Sequence, residues 1–564
     1  MARDRSGVTS GANSGAKQPR LGALRRRVSW PLLLGLVPVG FTAVFFGWPV
    51  AAILHRGLVD ESGAFDPAAV FGLWWSSEVG RLVGFTLGQA AASTVLTLLV
   101  GMPVAWLLAR VRMRGMWLLR VLVTVPFVLP TVVVGVAFRM LWGDGHLLAW
   151  TGLDGTVWAI IVAHAFFNVA VVARTVGGVW SRMDPRPEQA ARALGAGPLR
   201  VAATVTLPGL APAIASAAAV VFLFCATSFG VVLVLGGTRY RTLETEIYLQ
   251  TTQVFDLRMA AALSILQMLA VVAALAVAAV ARRRTSGSAA PIAATAVARP
   301  ARGWRRVPVA ATLAVVAVLL VVPPAMLAVR SLRSDGVWSL HAYRLLDTEV
   351  AGVRPLDAVS TSLRTAVDAA LLALALGLLA SVALARARGR GAELADGFMM
   401  LPLGVSAVTV GFGLLITMGA LPGDLRRSPL LVAIAQAMIA VPLVVRTLLP
   451  ALQTIDDRLR QAAGVLGAAP PRVWWSIDLP LVARSLAAAS GFAFVVALGE
   501  FGATSFLARA DHPTLPVLIG TLISRPGADN NAAALACSVV LAAITAAIVA
   551  AIEGARAGGV VGEF

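Results

Sequence analysis

Lysine is almost missing from this chain: Lys17 is its single lysine, and nearly all of the positive charge is arginine. Charge of either sign is scarce. Asp, Glu, Lys and Arg make up 13% of the 564 residues and hydrophobic residues 58%, against about a quarter and about a half in soluble domains. That deficit excludes water as the main solvent. Cysteine is scarcer still, and Cys225 and Cys537 both fall in apolar runs, offering neither a disulfide framework nor metal-ligand spacing. Both read as packing residues. Of the five histidines only His164 lies plainly within an apolar run, where a lone histidine is read first as a packed, hydrogen-bonded residue. HExxH, GxSxG and paired Cys/His patterns are absent, so no catalytic residue and no metal site is assigned. A phosphate loop is missing too, since GANSGAK from Gly11 to Lys17 has neither the spacing nor the strand-to-helix context of one.

What is present is a series of apolar runs. A helix crossing hydrocarbon needs about twenty mainly apolar residues, because only an intact helix satisfies its own backbone there. Such runs occur near 31–53, 84–108, 117–141, 156–180, 208–235 and 257–281, and again near 307–330, 361–385, 395–420, 429–452, 481–507 and 530–553. The expected fold class is an all-α polytopic membrane protein of about twelve transmembrane helices in two parallel six-helix repeats. The corresponding division is a disordered N-terminus over 1–28, a first repeat over 29–283, a linker over 284–306, a second repeat over 307–555 and a tail over 556–564. The run from Pro31 is too long for a cleaved signal core and is expected to remain.

The formal charge of +19 would suggest nucleic acid in a soluble protein. Here the arginines cluster in short loops, at Arg25 to Arg27, Arg110 to Arg114, Arg282 to Arg284 and Arg386 to Arg390. That is the pattern of loops facing an anionic cytoplasmic leaflet, so the partner is membrane lipid and not nucleic acid. Both termini are then expected to be cytoplasmic in a cell membrane. Asp60, Glu61, Asp66 and Asp335 fall on the other side, though Arg239, Arg241, Arg426 and Arg427 break the rule.

Register between the two halves is kept over most of their length. Gly115 and Gly391, Pro126 and Pro402, and Gly135 and Gly411 are each 276 residues apart. Further on the offset becomes 272, for Gly195 and Gly467, Pro208 and Pro480, Phe229 and Phe501, and Leu243 and Leu515. One four-residue length difference accounts for the change. A parallel repeat of this kind implies a pseudo-twofold axis along the membrane normal, with a pathway at the interface of the halves.

The repeat extends into a polar loop, which reads PEQAARALGAGPLRVAATVTLPGLAPAI in the first copy and LRQAAGVLGAAPPRVWWSIDLPLVARSL in the second. Each has a short helical stretch, a Gly, a second short stretch and a Leu-Pro, with 12 residues from Gly to Leu in both. Two short helices broken at Gly and lying along the membrane face make a rigid knob for a partner. These segments resemble the EAA loops of binding-protein-dependent ABC importer permeases of the MetI-like fold. Residue by residue, the resemblance places the ATPase-coupling loops at Gln189, Ala190, Ala191, Gly195, Leu207 and Pro208, and at Gln461, Ala462, Ala463, Gly467, Leu479 and Pro480. Both copies carry Gln where the family has Glu, so an amide replaces a charge-assisted contact.

Segments TSFGVVLVLGGTRYRTLETEIYLQ and GEFGATSFLARADHPTLPVLIG look like the fused double permeases of ferric-ion and thiamine importers. The resemblance implies a cytoplasmic ABC ATPase homodimer and an extracytoplasmic substrate-binding protein as partners. It also implies alternating access driven by ATP, with ATP and magnesium on the ATPase and no cofactor or covalent chemistry on this chain. Ferric ion is taken as the first substrate and thiamine as the second.

Within the membrane Glu500 stands out, since an ionised carboxylate facing lipid costs several kcal/mol. Its repeat mate is Ser228, and the two are expected to line a translocation path with Phe229, Gly230, Phe501 and Gly502. The competing role for Glu500 is a structural hydrogen bond. A secondary transporter of about twelve helices would share the repeat and the buried acid without needing paired loops, and a membrane enzyme would need a second catalytic group that the sequence does not offer.

Overall fold

The computed structural model describes residues 30–59, 62–143, 147–237, 239–285, 299–300, 303, 306–334, 337–387, 389–420 and 428–557. The expected disordered segment 1–28, most of the linker 284–306 and all but two residues of the tail lie outside them. Among the described residues ten helices are long and apolar enough to cross a bilayer, and two bent helix pairs raise the number to twelve if each pair is one span.

The first copy consists of α1 (Leu34–Leu58), α2 (Ser77–Arg110), α3 (Met116–Val128), α4 (Thr131–Trp142), α5 (Val157–Arg182), α6 (Arg186–Ala193), α7 (Pro198–Ala226), α8 (Gly230–Gly236), α9 (Leu243–Leu249) and α10 (Leu257–Val277). The second consists of α11 (Arg306–Ser331), α12 (Pro355–Arg386), α13 (Arg390–Gly404), α14 (Ala407–Thr417), α15 (Leu430–Gln453), α16 (Asp457–Val465), α17 (Pro470–Gly499), α18 (Thr504–Leu507), α19 (Leu515–Ser524) and α20 (Ala528–Gly554). Each of these first-copy helices has its counterpart ten labels later, and a further short helix, Pro67–Trp74, lies between α1 and α2. Extended ladders among the described residues are two-residue pairs only, Val111–Arg112 with Arg299–Pro300 and Arg333–Ser334 with Val337–Trp338.

Four spans depart from the continuous helices expected of them. The runs 117–141 and 395–420 fold as bent pairs, α3 with α4 at 104° and α13 with α14 at 99°. The two copies reach the same break by different chemistry. Pro130 holds Leu129 extended in the first, because its ring disfavours the helical region for the preceding residue. Its mate Ser406 is extended in the second and accepts from the Val408 amide at 3.0 Å, capping α14. The runs 208–235 and 481–507 stop at Ala226 and Gly499, followed by the separate short helices α8 and α18. Non-helical backbone at this depth is tolerated only where protein surrounds it, and the buried residues flanking each break meet that condition.

Leu-Pro does not end the second short stretch of either loop. The chain runs on through a π-turn into the membrane helix, at Ala202–Thr206 inside α7 and Trp474–Asp478 inside α17. Proline explains the turn: Pro208 and Pro480 have no amide to give back to the preceding turn, and a widened turn keeps their rings clear of it. The same device recurs at Ala43–Gly47 before Pro49 and at Ala317–Val321 before Pro323.

The repeat holds in packing as well as in sequence. A Cβ on Gly101 would stand 2.7 Å from Val172, and one on its mate Gly377 would stand 2.5 Å from Val444, the mate of Val172. In both copies small residues let the second and fourth spans touch backbone to side chain. The Leu243 amide donates to Thr86 Oγ1 at 3.0 Å and the Leu515 amide to Ser362 Oγ at 2.6 Å, again between mates. The first span of each copy crosses to the other. Gly35 of α1 approaches Ala383 and Gly413 of α14 approaches Pro49 and Ile53, while Val316 and Leu320 of α11 share a buried cluster with Val104, Leu107 and Phe138. The largest buried clusters draw on both copies, while smaller ones, such as Val172, Leu210 and Val221 in the first and Val382, Leu452 and Val482 in the second, stay within one.

Candidate coupling loops and translocation path

Each polar loop starts from a capped helix. Asp184 accepts from the Arg186 amide and its mate Asp456 from the Arg458 amide, both at 2.9 Å, where α6 and α16 begin. Each helix ends at the glycine, with Gly195 at φ +83° and Gly467 at φ +82°. The Ala196 amide reaches back to the Ala191 carbonyl at 3.0 Å and the Ala468 amide to that of Ala463 at 2.9 Å, the closing bond of a left-handed helix terminus. No atom lies within 4 Å of a Cβ at either glycine. Glycine is there for its backbone conformation, which any Cβ would strain. Gln189, Ala190, Gln461 and Ala462 face outward from the two helices, Ala191 and Ala463 are half-buried, and Leu207-Pro208 and Leu479-Pro480 lie one π-turn up the membrane helices. At the elbows, mates Leu194 and Leu466 are 89% and 87% exposed.

Ion pairs that the sequence did not suggest tie the loops to the helix bundle. Glu188 Oε1 accepts from Arg110 at 3.5 Å and from Thr206 Oγ1 at 3.0 Å, with Arg192 at 3.9 Å from Oε2. In the second copy the fully buried Asp478 accepts from Arg386 at 3.1 Å and from Arg460 Nε at 2.8 Å. Arg460 also donates to Asp457 at 2.6 Å and to the Leu452 carbonyl at 3.4 Å. Periodicity within one copy gives no signal for these groups; aligning the copies at offsets of 276 and 272 does.

The residues expected along the path gather where the fifth spans break. Phe229 and Phe501 stack with ring centroids 5.1 Å apart and planes 18° apart. Tyr248 of α9 lies 5.1 Å from Phe229 and 5.5 Å from Phe506, closing an aromatic cluster between the copies. Beside it, Gly230 abuts Thr131 and Gly502 abuts Ala407, mates on mates, and Ser228 is buried. Glu500 is buried with both carboxylate oxygens occupied: Oε1 accepts from the Ala503 amide at 2.8 Å, and Oε2 accepts from the Thr504 amide at 2.9 Å and from the Thr504 hydroxyl. It caps α18 and so shapes the turn that carries Phe501.

A second buried acid went unnoticed in the sequence, although it lies in a quoted segment. Glu244 of α9 accepts from Ser406 Oγ of the second copy at 2.5 Å and from Gln267 Nε2 of its own at 3.1 Å. Its mate is Pro516 and that of Ser406 is Pro130, so this polar link between the copies has no twin. His164 is buried against Ser93 Oγ at 3.1 Å, and both cysteines are buried and free.

Comparison with known proteins agrees with this layout. The family model described as binding-protein-dependent transport system inner membrane component matches residues 98–286 and 373–555, one segment in each copy. The chain is 28% identical to the thiamine transport system permease protein ThiP of Brucella abortus, over 90% of this chain and 92% of that protein. It is 27% identical to ThiP of Escherichia coli, over 86% and 93% respectively. The molybdenum transport system permease protein ModB of Mycobacterium bovis is 38% identical over 222 residues, which is 38% of this chain and 82% of that protein, about one copy's length. None of these three relatives is named for ferric ion, the substrate placed first from the sequence, and two are named for thiamine, the one placed second. The chain belongs to the family of binding-protein-dependent transport system inner membrane components, as a fused double permease of the ABC importer type with both family segments in one polypeptide.

Proposed function

We propose that this chain is the membrane permease of a thiamine importer, receiving thiamine from an extracytoplasmic binding protein and driven by a cytoplasmic ABC ATPase homodimer that holds the ATP and magnesium. The observation that carries the ATPase partner is the pair Leu194 and Leu466. Large apolar side chains this exposed, at the same elbow of two capped and rigid loops, gain by docking into another protein. The loop face is then cytoplasmic, with both termini on that side. The thiamine assignment is supported by relatives that match over most of both chains. Gln189 and Gln461 meet the ATPase as amides, and this chain does no covalent chemistry.

In this reading the Phe229–Phe501 stack and Tyr248 close the path in the present state, and Ser228, Gly230, Glu500 and Gly502 shape the turns beside it. ATP binding draws the two elbows together and the copies rock apart at the aromatic contact. The test is reconstitution in liposomes with the ATPase and binding protein of the same genome. Thiamine-loaded binding protein is expected to stimulate ATP hydrolysis and thiamine uptake. Uptake by this chain alone, driven by an ion gradient with no ATPase bound, would replace this reading with a secondary transporter.

A further inference from the structure

Superposing the copies by sequence offset brings the two ion-pair groups onto the same positions. Arg110 corresponds to Arg386 at the end of the second span, Glu188 to Arg460 on the loop helix, and Thr206 to Asp478 at the close of the π-turn. We propose that these positions form one three-point clamp, wired oppositely in the two copies, which locks the loop helix, the second span and the fifth span into a single moving unit. The proposal rests on the reading of these loops as the ATPase-docking elements.

Charge placement carries the argument. The arginine at the first position is constant, while the acid moves from the loop helix in the first copy to the foot of the membrane helix in the second. The partner polar group moves the other way. In each copy an arginine and an acid still meet, and the third group still bonds the acid. Peripheral charges follow the same balance: Arg192 flanks Glu188 where the second copy has Gly464, and Asp457 flanks Arg460 where the first has Pro185. Exposed ion pairs contribute little, but these are largely dry, with side-chain exposure of 12% and 13% for Arg110 and Glu188 and 0% for Asp478. Removing one member strands a buried charge.

Mechanically the clamp answers a problem set by the glycine elbow. A push on α6 reaches α7 through Gly195, a single point of the backbone, and leaves α2 untouched. Glu188 makes the second connection, to α2 through Arg110 and to α7 through Thr206. Asp478 makes it in the other copy, from α17 to α12 and α16.

The experiment exchanges the wiring. Glu188→Arg alone puts two arginines together without an acid, and Thr206→Asp alone puts two acids together; the double variant copies the second half's arrangement into the first. Each permease is reconstituted with its ATPase and binding protein, and two quantities are read: ATPase retained on the permease, and the ratio of binding-protein-stimulated to basal hydrolysis. Glu188→Arg is expected to cut the stimulated rate roughly tenfold, a mid-range coupling for groups in contact, and the double variant to recover most of it. The reciprocal set, Arg460→Glu, Asp478→Thr and their double, behaves alike. Glu188→Gln, which keeps the acceptor for Thr206 and loses the charge for Arg110, is the mild variant should a single change prevent insertion. It retains the ATPase and lowers the ratio. An unchanged ratio in assembled Glu188→Arg or Glu188→Gln, or a double variant no better than its worse single, would overturn the clamp. Wild-type permease that binds no ATPase would instead overturn the reading on which it rests.

Discussion

Phe229 and Phe501 are the same residue of the two copies, 272 positions apart in the chain, and their rings stack across the interface of the halves at 5.1 Å. The neighbourhood is not symmetric. Tyr248 covers Phe229, whereas its mate Gly520 leaves room for Phe501, whose ring atoms would stand 3.2 Å from a Cβ there. The aromatic contact is therefore built around one shared stack and one unshared ring.

An aromatic pair contributes about 0.5–1.5 kcal/mol beyond its buried area. Phe229→Ala and Phe501→Ala are each expected to raise the ATP-independent leak of thiamine from loaded liposomes, and the double variant more than either. Unchanged leak in the double variant would remove the stack from the path.

Glu500→Gln keeps one acceptor for the turn that Glu500 caps, whereas Glu500→Ala keeps none. The alanine variant is expected to lose about 1–3 kcal/mol of stability through unsatisfied amides at Ala503 and Thr504, the glutamine variant clearly less. Thermal unfolding in detergent reads the difference. Equal losses would show that the carboxylate does more than accept these bonds.

At the loop elbows the requirement is a left-handed backbone. Gly195→Asn and Gly467→Asn are expected to retain stimulated ATPase activity, because Asn enters that region at low cost, while valine at either position loses it. If Asn and Val fail equally, the constraint is space against the ATPase and not φ.

Close packing of the second and fourth spans predicts a matched pair of defects. Gly101→Val and Gly377→Val are each expected to cost about 1–3 kcal/mol by overpacking against Val172 and Val444. Gly88→Ala, on the same helix as Gly101 with nothing near its Cβ, is expected to be neutral or stabilising by about 0.5–1 kcal/mol. Melting temperatures of the three variants check both statements.

The number of spans, the parallel repeat and the two glycine-centred loops were legible in the chain because each depends on local chemistry: runs of apolar residues, a constant offset, and residue types with strong backbone preferences. The continuous helix through each Leu-Pro was not legible. Proline removes one donor, and the chain absorbed the loss in a π-turn because the rest of the helix was already held by the bundle. The breaks at Leu129-Pro130 and Val405-Ser406 show the limit from the other side, since only the first carries a proline and hydropathy runs through both.

Sequence by itself determined what must be buried in lipid, where the loop helices break at glycine, and which positions are equivalent between the copies. Tertiary structure decided the pairings. That α1 and α11 cross to the opposite copy, that Glu244 reaches Ser406, and that Glu188 and Asp478 play one part from two different positions all depend on groups far apart in the chain. The physical reason is that an apolar helix carries little information about its neighbour, because lipid and another helix solvate it almost equally well. Partner choice falls to a few small residues and buried polar groups, whose meaning appears only once both sides of the contact are in place.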